Sequence, residues 1–133
     1  MIMRAFIDTS AWHDLVATRA THHAPVREWI AKFSGRLVTS TDVWNETIAL
    51  LNARYGHKTA LQIGENMRDG ESVHLVAVED SIRDEAWQLF KSRADKRYSL
   101  TDCTSFVIMR RMDMTQVVTT DDDFRQEGFK VVP

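Results

Sequence analysis

Short apolar runs alternate with helix-periodic segments along the whole of this 133-residue chain, and that alternation narrows the possible folds more than any other feature. Met3 to Ile7 is an apolar run that stops at Asp8-Thr9-Ser10, residue types that cap helices, so a buried strand feeding a helix is expected. A first helix is expected over Ala11–Thr18 and a second over Val26–Phe33, with Pro25 near its first position and Gly35 just past its end. Leu37–Thr39 reads as a second strand. Thr41 or Asp42 can cap a third helix, whose apolar positions Val43, Trp44, Thr47, Ile48, Leu51 and Tyr55 recur at helical spacing until Gly56 stops it. There follow a polar helix over residues 58–69, a strand over Val73–Val78, and an amphipathic helix over Ser81–Ser92 with Ile82, Ala86, Leu89 and Phe90 facing inward. A basic loop with Lys96, Arg97 and Tyr98 leads to a very apolar helix over Thr101–Met112, and strands at Gln116–Thr119 and Phe129–Val132 complete the order.

Strands that alternate with helices need crossover connections, and those build a mostly parallel sheet covered on both faces. The expectation is an α/β fold: one three-layer α/β/α domain over residues 1–133, with a sheet of about five strands. The chain is long enough to bury roughly two-thirds of its unfolded surface, so it needs no staples. Its single cysteine, Cys103, excludes an internal disulfide and reads as a small core residue. There is no run of about 18 apolar residues to cross a membrane, and Asp8 interrupts the N-terminal run too soon for a signal peptide, so a cytoplasmic protein is expected. A net charge of −2 argues against a protein that binds nucleic acid through bulk positive charge alone.

The placement of the acids carries the functional reading. In open parallel sheets, ligands bind outside the carboxyl ends of the strands, where strand order reverses. Asp8 stands at the end of the first strand, and Asp121, Asp122 and Asp123 stand just past the fourth. If those strands are neighbours, the acids share one edge. Glu46 and Asp102 lie along or beside apolar helix stripes, where an ionised carboxylate is costly unless paired or metal-bound. Each acid also has an ordinary explanation: Asp8 as a helix cap, Glu46 as a solvated helix residue, the others as acids favoured by helix N-termini. Taken together they converge on one predicted edge, where clustered carboxylates raise one another's pKa values and a hard divalent cation relieves the repulsion.

Four segments resemble the PIN-domain nucleases, and among them the VapC-type toxins of type II toxin–antitoxin systems. They are Phe6-Ile7-Asp8-Thr9-Ser10-Ala11, Val43-Trp44-Asn45-Glu46-Thr47, Ser99-Leu100-Thr101-Asp102-Cys103-Thr104-Ser105-Phe106, and Thr119-Thr120-Asp121-Asp122-Asp123-Phe124. The resemblance implies a metal-binding pocket of Asp8, Glu46, Asp102 and Asp121, with Asp123 as a further catalytic acid and Asp122 outside the set. Ser10 and Thr101 match supporting polar positions, although helix capping explains Thr101 equally well. The implied activity is Mg²⁺-dependent endoribonuclease, with Mn²⁺ as a substitute, acting on tRNA or other structured RNA. The implied partners are an antitoxin that covers the acidic pocket and a second copy of the chain, with Trp12, Leu15 and Trp29 as apolar contacts.

Other readings fit less well. The histidines His13, His22, His23, His57 and His74 lack zinc-ligand spacing. Ser10 and His13 lack the glycine-flanked elbow of a nucleophilic serine. Aspartyl phosphatases need an Asp where Ser10 stands. A housekeeping RNA-processing nuclease and a non-catalytic binding module remain as alternatives, the second opposed by the completeness of the acid set. RNA must be held by rim cations, for which Arg54, Lys58, the Lys91–Arg97 stretch, Arg110 and Arg111 are candidates.

Overall fold

The computed structural model describes residues 2–133. The strands are β1 (Arg4–Ile7), β2 (Arg36–Ser40), β3 (Val73–Val76), β4 (Gln116–Val118) and β5 (Lys130–Val132). The helices are α1 (Thr9–Val16), α2 (His23–Lys32), α3 (Thr41–Tyr55), α4 (His57–Asp69), α5 (Asp80–Ser92), α6 (Leu100–Arg111) and α7 (Asp123–Gln126). All strand pairs are parallel, in the order β3-β2-β1-β4-β5. The chain builds outward from β1 to β3, then returns to the other side of β1, so the order reverses between β1 and β4. Helix α1 packs on α2 and α3, α3 packs on α4, and α5 packs on α6. Right-handed crossovers impose the division of helices between the two faces, giving three layers.

The elements follow the expected pattern, and their ends are set by side chains. Ser40, not Thr41 or Asp42, caps α3: its Oγ accepts from the Val43 amide at 3.1 Å. Gly56 ends that helix at φ +93°, a left-handed conformation open to glycine. Ser99 caps α6 in a reciprocal box with Asp102, so Thr101 is inside the helix and does not cap it. Helix α1 starts at Thr9, two residues earlier than expected, β3 ends at Val76 rather than Val78, and Pro25 sits at the third position of α2. The single turn α7 was not expected from the sequence.

The core centres on α6, in which Cys103 to Met109 are all buried. Its Phe106 packs edge-on against Tyr98 (5.0 Å between centroids) and Phe124 (4.9 Å), and stacks on Phe129 (5.8 Å). Each fully buried phenyl contributes roughly 2–3 kcal/mol. Two sequence expectations fail here. Trp12 is core, not an exposed contact, and its indole N–H donates to Thr39 Oγ1 at 3.4 Å. Phe90 is 39% exposed and stacks on exposed Trp87 instead of facing inward. Tyr98 lies in the expected loop, with its ring buried.

Glu127 fastens the C-terminal strand and the loop before α6. Its carboxylate, 4% exposed, accepts from the Arg93 guanidinium at 3.1 and 3.2 Å, Arg110 at 3.1 Å and the Tyr98 hydroxyl at 3.0 Å. These donors outweigh the burial that opposes them and hold its pKa below the usual glutamate value. Glu127→Ala strands two cations and a buried phenol, so urea denaturation should show a loss of about 2–3 kcal/mol; a loss below about 0.5 kcal/mol would mean that solvent replaces the carboxylate.

Candidate active site

Strand β1 continues into Asp8, whose backbone N–H donates to the Val118 carbonyl at 3.1 Å, so Asp8 and Thr119 emerge side by side from neighbouring strands. Asp8 occupies the N-cap position of α1, but its side chain makes no capping bond. It instead accepts from Thr119 Oγ1 at 2.9 Å. Thr119 Oγ1 in turn accepts from the Asp121 amide at 3.0 Å, and Ser10 Oγ accepts from the Thr120 amide at 3.0 Å. With the Thr119 proton committed to ionised Asp8, the 3.0 Å contact between the two hydroxyls is Ser10 donating to Thr119. A directed chain, Ser10 to Thr119 to Asp8, therefore orients the Asp8 carboxylate.

Three of the expected acids meet closely: carboxylate oxygens of Asp102, Asp121 and Asp123 lie within 4.8 Å of one another. Asp102 is brought there by the N-terminus of α6, and Asp123 by the start of α7, where its amide donates to Asp121 Oδ1 at 2.9 Å. Asp102 also keeps its ordinary capping role. Asp8 and Glu46 stand outside this trio. Both couple to the cluster through charge: Asp8 feels Asp102 and Glu46, and Glu46, on an exposed position of α3, makes no hydrogen bond among the described residues. Asp122 turns away and pairs with Arg125. Thr101 offers the site no side-chain contact; its carbonyl accepts from the Thr104 and Ser105 hydroxyls.

The electrostatics are those of a like-charged acid cluster, with Lys96 as a counterion near Asp123. Burial, then the Asp102 charge, pushes Asp8 up to about 7, against the Thr119 hydrogen bond and the nearby Thr9 amide. Burial first, with Asp121 and Asp123 adding to it, pushes Asp102 up to about 6. Asp123 is raised by burial and by Asp121. Burial thus outweighs the like-charge repulsion that the sequence argument put first. The donors are oxygen only, with no His or Cys among them, which suits a hard divalent cation and not zinc.

The sequence did not single out Thr119, two residues before Asp121, or the cross-link made by Asp42, whose carboxylate receives two 2.7 Å bonds from Arg83 and shares the Thr104 hydroxyl, 3.1 Å away, with the Thr101 carbonyl. That bridge ties the start of α3 to α6 and so fixes Glu46 relative to Asp102. Several rim candidates are occupied: Arg93 and Arg110 hold Glu127, and Arg111 pairs with Glu85.

A three-layer α/β domain with an all-carboxylate centre at its topological switch point is the class this geometry defines. The sequence matches the PIN domain over residues 5–130, and the chain belongs to the PIN-domain family of nucleases. The 23S rRNA-specific endonuclease VapC20 of Mycobacterium tuberculosis is 34% identical over 125 residues, 93% of this chain and 94% of that protein. The crystal structure of M. tuberculosis VapC20, described as a sarcin-ricin loop cleaving toxin, matches with a TM-score of 0.91 at 31% identity, over 97% of this chain and 99% of that one. FitAcB from Neisseria gonorrhoeae shares the fold at a TM-score of 0.71 and 13% identity, over 98% of this chain and 97% of that one.

Two outcomes follow from this geometry. Asp8 and Asp102 hold protons in the folded state above their unfolded value of 3.8, up to about 7 and about 6, so metal-free stability falls as pH rises through that window and stays low above it. In EDTA, the Tm should therefore drop between about pH 4 and about pH 7. Asp8→Asn should flatten most of that slope and melt roughly 3–6 °C above the wild type at the upper end. An Asp8→Asn protein that melts lower throughout would mark Asp8 as structural. The second outcome concerns Thr119→Val, which disorients Asp8. It should lower kcat/KM for RNA cleavage about 10–100-fold at a temperature where both proteins are folded.

Proposed function

We propose that this chain is a Mg²⁺-dependent endoribonuclease, with Mn²⁺ as a substitute, that serves as the toxin of a toxin–antitoxin pair. The observation that carries the reading is the convergence of the Asp102, Asp121 and Asp123 oxygens beside a buried Asp8 held in a directed hydrogen-bond chain. Asp8, Asp102 and Asp121 would hold the cation, with Glu46 completing the set from α3 and Asp123 as the further catalytic acid. A bound cation would offset the charge of a scissile phosphodiester and make water a better nucleophile. Asp121 and Asp123 orient the attacking water, and one of them accepts its proton. The water oxygen bonds to phosphorus as the bond to the 3′ oxygen breaks, leaving a 5′-phosphate and, after protonation, a 3′-hydroxyl. Ser10 and Thr119 keep Asp8 in place through the reaction.

The substrate is a structured loop of large-subunit rRNA rather than tRNA, because the VapC20 relative is named for 23S rRNA and matches nearly the whole chain. The partners are an antitoxin that covers the acids and a second copy of the chain. The stacked, exposed Trp87 and Phe90 of α5 provide apolar surface for the latter. No helix among the described residues is long and apolar enough to cross a membrane, in keeping with a cytoplasmic toxin.

Purified protein incubated with total RNA and with ribosomes, in Mg²⁺ against EDTA, tests the proposal, with Asp8→Asn purified identically as the contamination control. Metal-dependent cutting that falls at least about 100-fold in the variant is expected, since even partners behind the ligands are worth 10–100-fold. Equal cutting by wild type and variant would trace the activity to a contaminant or to another site. No cutting by folded wild type would sink the nuclease reading.

A further inference from the structure

We infer that the trough between the C-terminal turns of α1 and α3 is a second phosphodiester-binding subsite, which grips the RNA strand away from the cut; this rests on the ribonuclease reading. The trough is a cavity of about 590 Å³ lined by His13, Thr18, Arg19, Arg54, Tyr55 and Thr59, with no carboxylate on its walls. Its polar heads are arranged in advance. The His13 ring is 3.0 Å from Asp14 Oδ1 through Nδ1, and buried Asp14 fixes the ring orientation. The Arg54 guanidinium at 3.2 Å and the Tyr55 hydroxyl at 3.1 Å converge on His13 Nε2 from the other side. With Nδ1 protonated toward Asp14, Nε2 accepts from either donor, which leaves most of the Arg54 fork free.

The charges in the trough are unspent. Among the described residues neither Arg19 nor Arg54 pairs with a carboxylate, as is also true of Arg4, Arg27, Arg36, Arg68 and Arg97, whereas Arg83, Arg93, Arg110, Arg111 and Arg125 all do; what sets Arg54 apart is that it converges with Tyr55 on the His13 ring. Guanidinium groups match phosphate oxygens, and Tyr55, 44% exposed, offers a ring face to a base. The trough also leads from the acids. Ser10 and His13 share a face of α1, and Glu46, Leu50 and Arg54 form one row along α3, from the acid set to the trough over about 12 Å. A chain with a net charge of −2 and an acidic centre must hold RNA through local cations of this kind.

The test is binding of a fluorescent single-stranded RNA, followed by anisotropy across a salt series, with Mg²⁺ present and Asp8→Asn in every protein so that no strand is cut. Arg19→Ala with Arg54→Ala should raise Kd about 10-fold or more and reduce the slope of log Kd against log salt by about 0.7 for each phosphate that the two guanidinium groups had neutralised. Arg54→Lys alone should keep the slope. Thermal melts of the same proteins check that both remain folded. Unchanged Kd and slope in the double variant would overturn the subsite, and if the same variant no longer bound its antitoxin, the trough would belong to an acidic segment of that protein. Because binding is read without cleavage, a wild-type protein that cuts nothing would sink the ribonuclease proposal while this measurement still decided the subsite.

Discussion

Asp8 donates its backbone N–H to Val118 one step beyond the Ile7–Val118 pair of the parallel ladder, and the whole acidic centre hangs on that register. The two strands are separated by most of the chain and become neighbours only because the sheet reverses its order there. Once paired, they deliver Asp8 and Thr119 at the same height, which is what allows Thr119 to hold Asp8 and, through its second lone pair, the turn that carries Asp121. A slip of one residue would turn Thr119 and Asp8 to opposite faces. The site is therefore a property of sheet topology before it is a property of any loop.

The remaining acids are positioned by packing. Helix α6 is buried along seven consecutive residues, so its axis cannot move without opening the core, and Asp102 inherits that rigidity at the N-terminus. Phe106, one turn on from Asp102, packs against Phe124, the neighbour of Asp123, so the same aromatic contact that stabilises the fold sets the spacing of two acids. Two acids outside the centre finish the positioning. Asp42 binds α3 to α5 and α6, and Glu127 binds the segments that flank Asp102 and Asp123. Their charges are satisfied by arginine, whereas those of the centre are not. That contrast separates acids that stabilise this fold from acids that strain it.

The α/β class, the five strands and the ends of most helices could be read from the sequence, because period, capping residues and breakers are local signals. The acids could be named, since Asp8, Asp102 and Asp121 to Asp123 fall at strand ends and at a helix start. Thr119 could not be singled out, because its role needs β1 beside β4, a non-local fact. The same limit hid the roles of Asp42, which offered only a possible helix cap, and of Glu127, until Arg83 and Arg93 are seen to reach them. Trp12 and Phe90 went wrong in opposite directions, since helical periodicity gives a phase but not which side meets the sheet.

The distribution of paired and unpaired arginines joins these observations. Every arginine that anchors Asp42 or Glu127 is withdrawn from RNA binding, because moving it would leave a buried carboxylate without its counterion. The Arg93 and Arg110 candidates are in that position, so these two cations flanking α6 serve the fold rather than a strand-binding surface. Arg54 is different: its nearest polar partner is the His13 ring, not an acid, and its guanidinium can turn to a phosphate without exposing a charge elsewhere. An acidic chain can hold a polyanion only with cations it can spare, and here Arg54 stands at the end of α3, which also carries Glu46, while Arg19 follows α1, whose start carries Ser10 and is preceded by Asp8.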